Sequence, residues 1–396
     1  MKLSNCWSAD FETTTDENDC RVWAYSICNI EEPDNFVYGN SISDFIEWCY
    51  NSKQNYTLYF FNLKFDAAFI LSFLLEAGFE WIKDKKNRRD MTFTTLISDM
   101  GQFYSIEIYF EVKGHKTKKV KIIDAMKIFP NFSVERLASS FGLSISKLSI
   151  DYNQYRPEGY ELTQAEIDYI RNDVEIVARA LKEMFETGLT KMTIASDALG
   201  DFKKHHVSNF FKFFPELSND IDADIRESYR GGFTYVNDKY AEKQVGKGMV
   251  LDVNSLYPFC LKKLLPYGQP KCFTGEYQYD KLYPLYVITF SCKFDIKHDK
   301  IPTIQLKNNL SFIPNEYIKS SHDEQVTLTL TSIDYELFKD HYHIRDIVFH
   351  GGWKFMAATG LFDSYVDYWT EQKITAGKEG NKGKRQIAKL MLNSLY

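Results

Sequence analysis

The clearest pattern of hydrophobic and polar positions near the start of the chain is a pair of segments rich in β-forming residues. They cover residues 7–13 and 22–30, with a turn-rich stretch between them. Two such segments joined by a turn predict a β-hairpin. Similar patterns predict strands over residues 57–62, 92–110 and 120–124, and a helix over residues 67–78.

A long amphipathic helix is predicted after residue 163. Thr163 and Glu166 form the capping-box pattern, and apolar residues recur at helical spacing from Ile167 to Met184, before Gly188. Strands followed by packed helices over the first 190 residues indicate an α/β or mixed α+β domain.

The second half of the chain gives a weaker pattern. Gly231 and Gly232 predict a tight or flexible connection, residues 249–253 predict a buried strand, and residues 266–353 predict short strands and turns. Residues 386–396 predict a helix that continues to the last residue without a stop signal, which suggests that the chain has been cut short.

Composition narrows the class of protein. The 396 residues suffice for two or three domains, and the net charge of −6 hides basic runs at 83–89, 113–121 and 373–389. Seven scattered cysteines argue against a disulfide framework or a structural zinc site. Without a signal sequence or a membrane-length apolar segment, we expect a cytoplasmic protein with no membrane partner.

Three groups of residues suggest metal chemistry. Asp10 and Glu12 are two apart, so on a strand both carboxylates lie on one face. Asp66 follows a predicted strand and opens a helix, where the local pattern by itself favours an N-cap. Tyr169 and Asp173 are four apart and share a face of the long helix.

Together these residues resemble the proofreading 3′–5′ exonucleases of the DEDDy kind, which have a ribonuclease H-like fold. The resemblance implies that Asp10, Glu12, Asp66 and Asp173 hold two Mg²⁺ ions, for which Mn²⁺ can substitute. It also implies that Tyr169 orients the attacking water.

Further motifs resemble the protein-primed B-family DNA polymerases of bacteriophages. The segment Lys147-Leu-Ser-Ile-Asp-Tyr152 is similar to their K-x-x-I-D-Y element, in which the lysine supports phosphate hydrolysis and the tyrosine binds single-stranded DNA. By the same resemblance, Thr13, Asn62 and Phe65 are ligands of single-stranded DNA. The segment Tyr229-Arg230-Gly231-Gly232 resembles the Y-x-G-G element that contacts DNA between exonuclease and polymerase.

The polymerase motifs are represented as well. Asp252-Val-Asn-Ser255-Leu256-Tyr257-Pro258 is similar to D-x-x-S-L-Y-P, which implies a metal-binding aspartate and residues that contact the incoming nucleotide. Residues 389–396 resemble the fingers motif K-x-x-x-N-S-x-Y-G. The nucleotide-binding residues implied here are Lys373, Arg385, Lys389, Asn393 and Tyr396.

The resemblance implies a domain order. Residues 1–190 form the exonuclease, 191–265 the first part of the palm, 266–361 an insertion that contacts primer protein and template, and 362–396 the start of the fingers. The implied partners are a single-stranded 3′ end, primer–template DNA, dNTPs and a terminal protein used as primer, acting in the cytoplasm of an infected host cell.

The chain departs from the family pattern at several positions. Phe61 stands where histidine is frequent, Ala125-Met126 stands where Ser-Leu is usual, and residues 375–385 are longer and richer in Gly and Lys. The second aspartate motif, Y-x-D-T-D-S, does not occur in the sequence. We therefore expect this chain alone to shorten DNA but not to extend a primer, unless a C-terminal part or second polypeptide completes it.

Two alternatives remain open. One is a stand-alone 3′–5′ exonuclease, against which the motifs at Asp252 and Lys389 count. The other is a non-catalytic module that binds DNA or the primer protein, against which the four carboxylates count. Because the net charge is negative, we expect a basic groove along residues that include Lys147, Arg230 and Lys389.

Overall fold

The computed structural model describes residues 2–16, 18–114, 116–305 and 317–395. These residues form two compact units. The first holds the residues up to Phe202 together with those from Tyr365 on, and the second holds residues Lys203–Ser364. Among the described residues, no helix is both long enough and apolar enough to cross a membrane.

The first unit is built on an eight-stranded mixed sheet of order β3-β2-β1-β4-β8-β7-β6-β5. Its strands are β1 Cys6–Thr13, β2 Val22–Asn29, β3 Phe36–Gly39, β4 Tyr56–Phe60, β5 Glu80–Trp81, β6 Thr92–Ile97, β7 Phe103–Lys113 and β8 Lys116–Asp124. The predicted hairpin is confirmed, since β1 pairs antiparallel with β2. On its other side β1 pairs parallel with β4, so β1 lies inside the sheet.

Five helices follow in the same part of the chain: α1 Ile42–Tyr50, α2 Leu63–Glu76, α3 Val134–Phe141, α4 Gln164–Glu186 and α5 Ile194–Asp201. The predicted capping box at the start of α4 is present, with both reciprocal hydrogen bonds between Thr163 and Glu166. Helix α4 packs on β1 and β2. The prediction of a mixed α/β fold is confirmed for this unit.

The second unit contains the helices α6 Phe210–Phe213, α7 Asn219–Arg226, α8 Leu256–Leu261 and α9 Ser332–His341. Its strands are β9 Leu265–Phe273, β10 Leu285–Ile296, β11 Ile304–Gln305, β12 Tyr317–Ile318, β13 Val326–Thr331 and β14 Tyr342–Ala358. Four of them form an antiparallel sheet of order β13-β10-β14-β9. Phe290, Phe294 and Phe338 form the centre of its core, where α9 packs on the sheet.

The chain then continues through α10 Asp363–Lys378 and α11 Lys382–Leu392. Helix α11 packs against α3, α4 and α5 of the first unit. The prediction that this last helix runs to the end of the chain is wrong. It ends at Leu392, because the amide of Asn393 closes the last turn on the carbonyl oxygens of Lys389 and Leu390.

The prediction of a buried strand over residues 249–253 is also wrong. The segment has no regular secondary structure, and the side chain of Val250 is almost fully exposed. None of the described strands pairs with this segment. Without a neighbouring strand to supply hydrogen bonds and a covering face, an apolar run cannot form a buried strand.

Candidate metal centre

Strand β1 presents two carboxylates to the face of the sheet that carries α4. Trp7, Ala9 and Phe11 point into the hydrophobic core on the opposite face, which α1 and α2 cover. Because side chains alternate along a strand, Asp10 and Glu12 project to the α4 side. Burial of the odd-numbered residues therefore decides where both carboxylates lie.

Helix α4 brings a third carboxylate to this place. Tyr169 and Asp173 are both buried on the side of α4 that packs on β1 and β2. One oxygen from each of Asp10, Glu12 and Asp173 lies within 4.8 Å of the other two. The structure thus brings together three of the four carboxylates singled out in the sequence.

The fourth, Asp66, lies in the first turn of α2 and is 2% exposed. The alternative that Asp66 is an N-cap is wrong, because Asn62 occupies that position in a left-handed conformation with φ 70°. The backbone N–H of Phe11 donates to the Asp66 carboxylate. That bond ties the start of α2 to β1, between Asp10 and Glu12.

The carboxylates repel one another in a poorly solvated place. Burial raises the pKa of Asp10 well above its usual range, and the charge of Asp66 raises it further. Burial raises the pKa of Glu12 to about 7 and that of Asp66 to about 8. A group of carboxyls with such raised pKa values is typical of a site that binds positive charge.

Lys147 supplies part of that charge. Its Nζ lies 3.0 Å from Oδ2 of Asp173. Burial lowers the pKa of Lys147, but the charge of Asp173, the hydrogen bond to it and the nearby Tyr152 and Asp10 together outweigh this, and the net pKa is raised. Burial likewise raises the pKa of Asp173, which Lys147 opposes.

Two carboxylate oxygens at the centre have no hydrogen-bond partner among the described residues. They are Oδ1 of Asp66 and Oδ1 of Asp173, and both are buried. Leaving such an oxygen unsatisfied is costly, and carboxylate oxygens are ligands that Mg²⁺ prefers. The donor set therefore fits divalent cations.

Tyr169 and Tyr152 complete the centre. Their hydroxyl oxygens are 3.0 Å apart, and hydrogen bonding by Tyr169 lowers the pKa of both Glu12 and Asp173 against the effect of burial. Burial raises the pKa of Tyr169, so its hydroxyl keeps its proton. It can donate a hydrogen bond to an oxygen atom beside the carboxylates.

A family model described as "DNA polymerase type B, organellar and viral" matches residues 49–396. The DNA polymerase of Bacillus phage M2 is 47% identical over 98% of this chain and 67% of its own length. The DNA polymerase of Bacillus phage phi29 is 46% identical over 98% of this chain and 66% of its own length. The chain belongs to the type B DNA polymerases, among the protein-primed phage enzymes. It spans about two thirds of the length of these relatives.

Solved structures agree with this assignment. The orthorhombic crystal form of phi29 DNA polymerase matches 99% of this polymerase chain and 67% of its own, with a TM-score of 0.92 and 44% identity. The same polymerase in complex with single-stranded DNA matches 99% of this chain and 66% of its own, with a TM-score of 0.91 and 44% identity. The first two thirds of that mixed α/β architecture are therefore present here.

The predicted ligands of single-stranded DNA surround the carboxylates of this polymerase chain. Thr13 ends β1, next to Glu12, and the rings of Phe65 and Tyr152 are about half exposed. The exposed side chain of Asn62 makes no capping hydrogen bond. Phe61, which stands where histidine is frequent, lines a cleft of about 430 Å³ beside Asp10 and Lys147. Their role in DNA binding stays a prediction.

The motif at Asp252 and the Y-x-G-G element lie in the second unit. Asp252 is exposed and follows no strand, while Ser255 precedes α8 and Leu256 and Tyr257 are half exposed within it. Tyr229 is exposed, whereas Arg230 donates to the carbonyl oxygens of Glu227 and Thr329. Gly231 and Gly232 lie in an exposed loop. A side chain at Gly232 would approach the Tyr257 hydroxyl, which places the two motifs side by side.

The predicted nucleotide ligands of the fingers lie on α10 and α11. Lys373 is on α10, Arg385 and Lys389 are exposed on α11, and Asn393 caps it. Tyr396 lies outside the described residues. Whether these residues bind nucleotide stays a prediction.

Sequence reasoning missed Arg156 and Asp124, which support the centre, and it gave Glu166 only its role in the capping box. Arg156 and Glu166 form a buried ion pair, with Nε of Arg156 2.7 Å from Oε1 of Glu166. Asp124 accepts hydrogen bonds from the backbone N–H groups of Met126 and Leu63 at the entry to α2. The only available signals were a charge next to the capping box and a carboxylate ending a predicted strand.

Proposed function

We propose that this chain supplies the 3′–5′ proofreading exonuclease and the first polymerase motifs of a DNA-directed DNA polymerase that acts in protein-primed replication of viral DNA. The observation that carries the exonuclease is the group of carboxylates at Asp10, Glu12 and Asp173, with Asp66 beside it. The observation that supports the polymerase is family membership. The relatives act as phage enzymes, which favours the cytoplasm of the infected cell as the place of action.

Asp10, Glu12, Asp66 and Asp173 would hold two Mg²⁺ ions. Bound divalent cations supply positive charge that favours attack of water on a phosphodiester and departure of the 3′ oxygen. The unpartnered oxygens of Asp66 and Asp173 are the free ligand atoms that this assignment needs. The raised pKa values of Glu12 and Asp66 fit the same assignment, since binding a cation replaces their protons.

Two protein groups act on the reacting atoms: Tyr169 on the attacking water and Lys147 on the phosphate. The buried hydroxyl of Tyr169 donates to the attacking water and orients it, because a phenol that keeps its proton is a good donor. The Lys147 ammonium, which is partly exposed while it contacts Asp173, lies where it can also meet a phosphate oxygen. It stabilises charge that develops as the bond breaks.

The single-stranded 3′ end is held around this centre. Phe65 and Tyr152 present half-exposed rings on which bases stack. Thr13 and Asn62 contribute polar groups, and Asn62 is held in its left-handed conformation at the start of α2. The solved complex of phi29 DNA polymerase with single-stranded DNA supports this arrangement by similarity.

On the polymerase side, Asp252 would bind metal. The incoming dNTP would be bound by Ser255, Leu256, Tyr257, Lys373, Arg385, Lys389, Asn393 and Tyr396. Tyr229, Arg230, Gly231 and Gly232 would contact DNA. Residues 1–190 would form the exonuclease, 191–265 the first part of the palm, 266–361 the insertion that meets a terminal protein and template, and 362–396 the start of the fingers. A solved ternary complex of phi29 DNA polymerase holds primer–template DNA and incoming nucleotides, which supports these partners.

The test is degradation of a 5′-labelled single strand by the purified chain in Mg²⁺. We expect stepwise shortening from the 3′ end, with Asp10→Ala and Asp66→Ala slowing it by at least a hundredfold. Asp168→Ala, at an exposed aspartate of α4 outside the motifs, is the matched control and should cleave at the normal rate. If both site variants cleave like the unmodified chain, the site assignment is wrong.

A further inference from the structure

A cleft of about 640 Å³ between α3 and α11 has an unusual balance of charge. Four basic side chains line it: Arg136 from α3, and Lys382, Arg385 and Lys389 from α11. No Asp or Glu occurs among its described lining residues, and none of these four cations forms an ion pair within the part of the chain that the structure describes. The remaining polar groups that line it are neutral.

Gathering four cations without a counter-ion is unfavourable, because like charges repel even where the side chains are exposed. Surface cations usually reduce this cost by pairing with nearby carboxylates. On the same helix, Lys384 faces away from the cleft and lies near Glu183. The cleft therefore has the charge of a site that takes an anion.

Contacts other than ion pairs hold the two walls of the cleft in place. The Arg136 guanidinium lies 5.2 Å from the centre of the Phe132 ring and donates to the carbonyl oxygen of Asn131. Across the cleft, the aliphatic part of Lys382 packs on Gly142, where a Cβ would come within 3.0 Å of the Lys382 Cδ. Gly142 is the C-cap of α3 and Lys382 is the first residue of α11, so this contact fixes the start of α11 against the end of α3.

Neutral donors and acceptors complete the lining. Ser139 and Ser140 of α3 face Gln386 and Asn393 of the α11 side. Hydroxyl and amide groups mixed with Arg and Lys are the set that binds phosphate oxygens, with arginine favoured for its fork of N–H donors. A lone carboxylate ligand would leave most of these groups unused.

We propose that this cleft is a phosphate-binding site whose second wall is Arg136 of α3, with Lys382 as an additional cation. The ligand is a phosphate chain, supplied either by a nucleoside triphosphate or by the backbone of single-stranded DNA. The inference rests on the proposed function only for Arg385 and Lys389, which that proposal assigns to binding of the incoming dNTP. It adds a contribution from α3, and it gives the Gly- and Lys-rich segment 375–385 a role in binding phosphate.

The test measures binding of a labelled oligothymidylate by fluorescence anisotropy in EDTA, at several salt concentrations. Arg136→Ala and Lys382→Ala should each weaken binding about three- to tenfold at low salt. Each should also lower the log–log salt slope by about 0.7, the value for one single-strand phosphate contact. Lys384→Ala, which removes an exposed cation from the same helix outside the cleft, should change neither quantity.

Two further variants keep the result interpretable. Arg136→Lys should retain most of the binding and Arg136→Glu should lose more than Arg136→Ala, while thermal unfolding verifies that each variant is folded. Competition with unlabelled dATP and with tripolyphosphate identifies the source of the phosphates. Displacement by both, weakened in Arg136→Ala, indicates the triphosphate. Displacement by neither, together with the lower salt slope of Arg136→Ala, indicates the DNA backbone.

The proposal is overturned if Arg136→Ala and Lys382→Ala bind the oligonucleotide and dATP as Lys384→Ala does. Loss of binding only in Arg385→Ala and Lys389→Ala would leave the nucleotide assignment standing and remove Arg136 from it. Failure of the exonuclease assignment is separate, since it is measured by cleavage in Asp10→Ala and does not depend on this cleft.

Discussion

Arg156 and Glu166 form an ion pair in which both residues are at most 4% exposed. The same guanidinium donates to the carbonyl oxygens of Asp151 and Gln154, on either side of Tyr152. Glu166 belongs to the capping box of α4, the helix that carries Tyr169 and Asp173. The pair therefore joins the loop of one tyrosine to the helix of the other.

Glu166→Gln should destabilise the first unit strongly, because it leaves a buried guanidinium without its counter-charge. Removing one partner of a buried pair costs about 3–5 kcal/mol. Urea unfolding measures the loss, and Arg156→Met should cost a similar amount. The double variant should lose much less than the sum, since no unpaired charge remains. Glu80→Gln, at the exposed Arg89–Glu80 pair of the same unit, should cost under about 1 kcal/mol. Equal losses at the two pairs would contradict this account.

Lys147→Met should change the pH dependence of cleavage as well as its rate. Lys147 opposes the effect of burial on the pKa of Asp173, so its removal raises that pKa further. We expect cleavage about tenfold to a hundredfold slower near neutral pH, with the acidic limb of the pH–rate profile moved to higher pH. Lys147→Arg should restore the position of that limb. A uniform fall in rate at every pH would show that Lys147 acts without influencing Asp173.

The stability of the metal-free protein should fall as the pH rises. The folded state keeps protons on Glu12 up to about pH 7 and on Asp66 up to about pH 8, whereas unfolded carboxyls release theirs at about pH 4. Between these values the folded state binds more protons. The stabilising contribution is therefore complete below about pH 4 and lost by about pH 8. Melting temperatures in EDTA across this range measure it, and Asp66→Asn should flatten the profile.

Mg²⁺ should reverse that loss most strongly at high pH. The cation competes with protons for the same oxygens, so its stabilising effect grows as the carboxyls ionise. We expect a clear rise in melting temperature on adding Mg²⁺ at about pH 8 and a smaller one at about pH 6. Asp10→Asn should abolish the difference. A rise that is equal at the two pH values would argue that Mg²⁺ binds elsewhere.

Tyr169→Phe and Tyr152→Phe should separate two hydroxyls that are 3.0 Å apart. Tyr169 is buried, and we propose that it acts on the attacking water, so its loss should lower kcat by about tenfold to a hundredfold. Tyr152 is half exposed and keeps its stacking ring in the phenylalanine variant, so kcat should fall less than about threefold. Single-turnover cleavage of a labelled strand distinguishes the two. A larger effect at Tyr152 would exchange their roles.

The sequence was most informative where one local pattern decides one element. The β1–β2 hairpin and the capping box at Thr163 form as expected, because turn chemistry and side-chain caps act within a few residues. The placement of Asp10 and Glu12 on one face followed from strand alternation alone.

The failures concern partners that are distant in the chain. Residues 249–253 have the composition of a buried strand, but composition does not say which strand will pair with it. Asp66 resembled an N-cap until the backbone showed Asn62 in that position. Arg156 pairs with Glu166 only because a loop folds back on α4, and the spacing of the two residues in the sequence does not predict this ion pair. Each case depends on three-dimensional neighbours, which override local preference.

Phe11 lies between the two carboxylates of β1, with its ring in the core against Phe45 and Phe60. Its N–H also binds Asp66. The packing of Phe11 therefore governs the spacing of three proposed metal ligands. We therefore expect few substitutions to be tolerated along β1, at polar and apolar positions alike. Packing defects should lower proofreading fidelity even where all the acidic residues are unchanged.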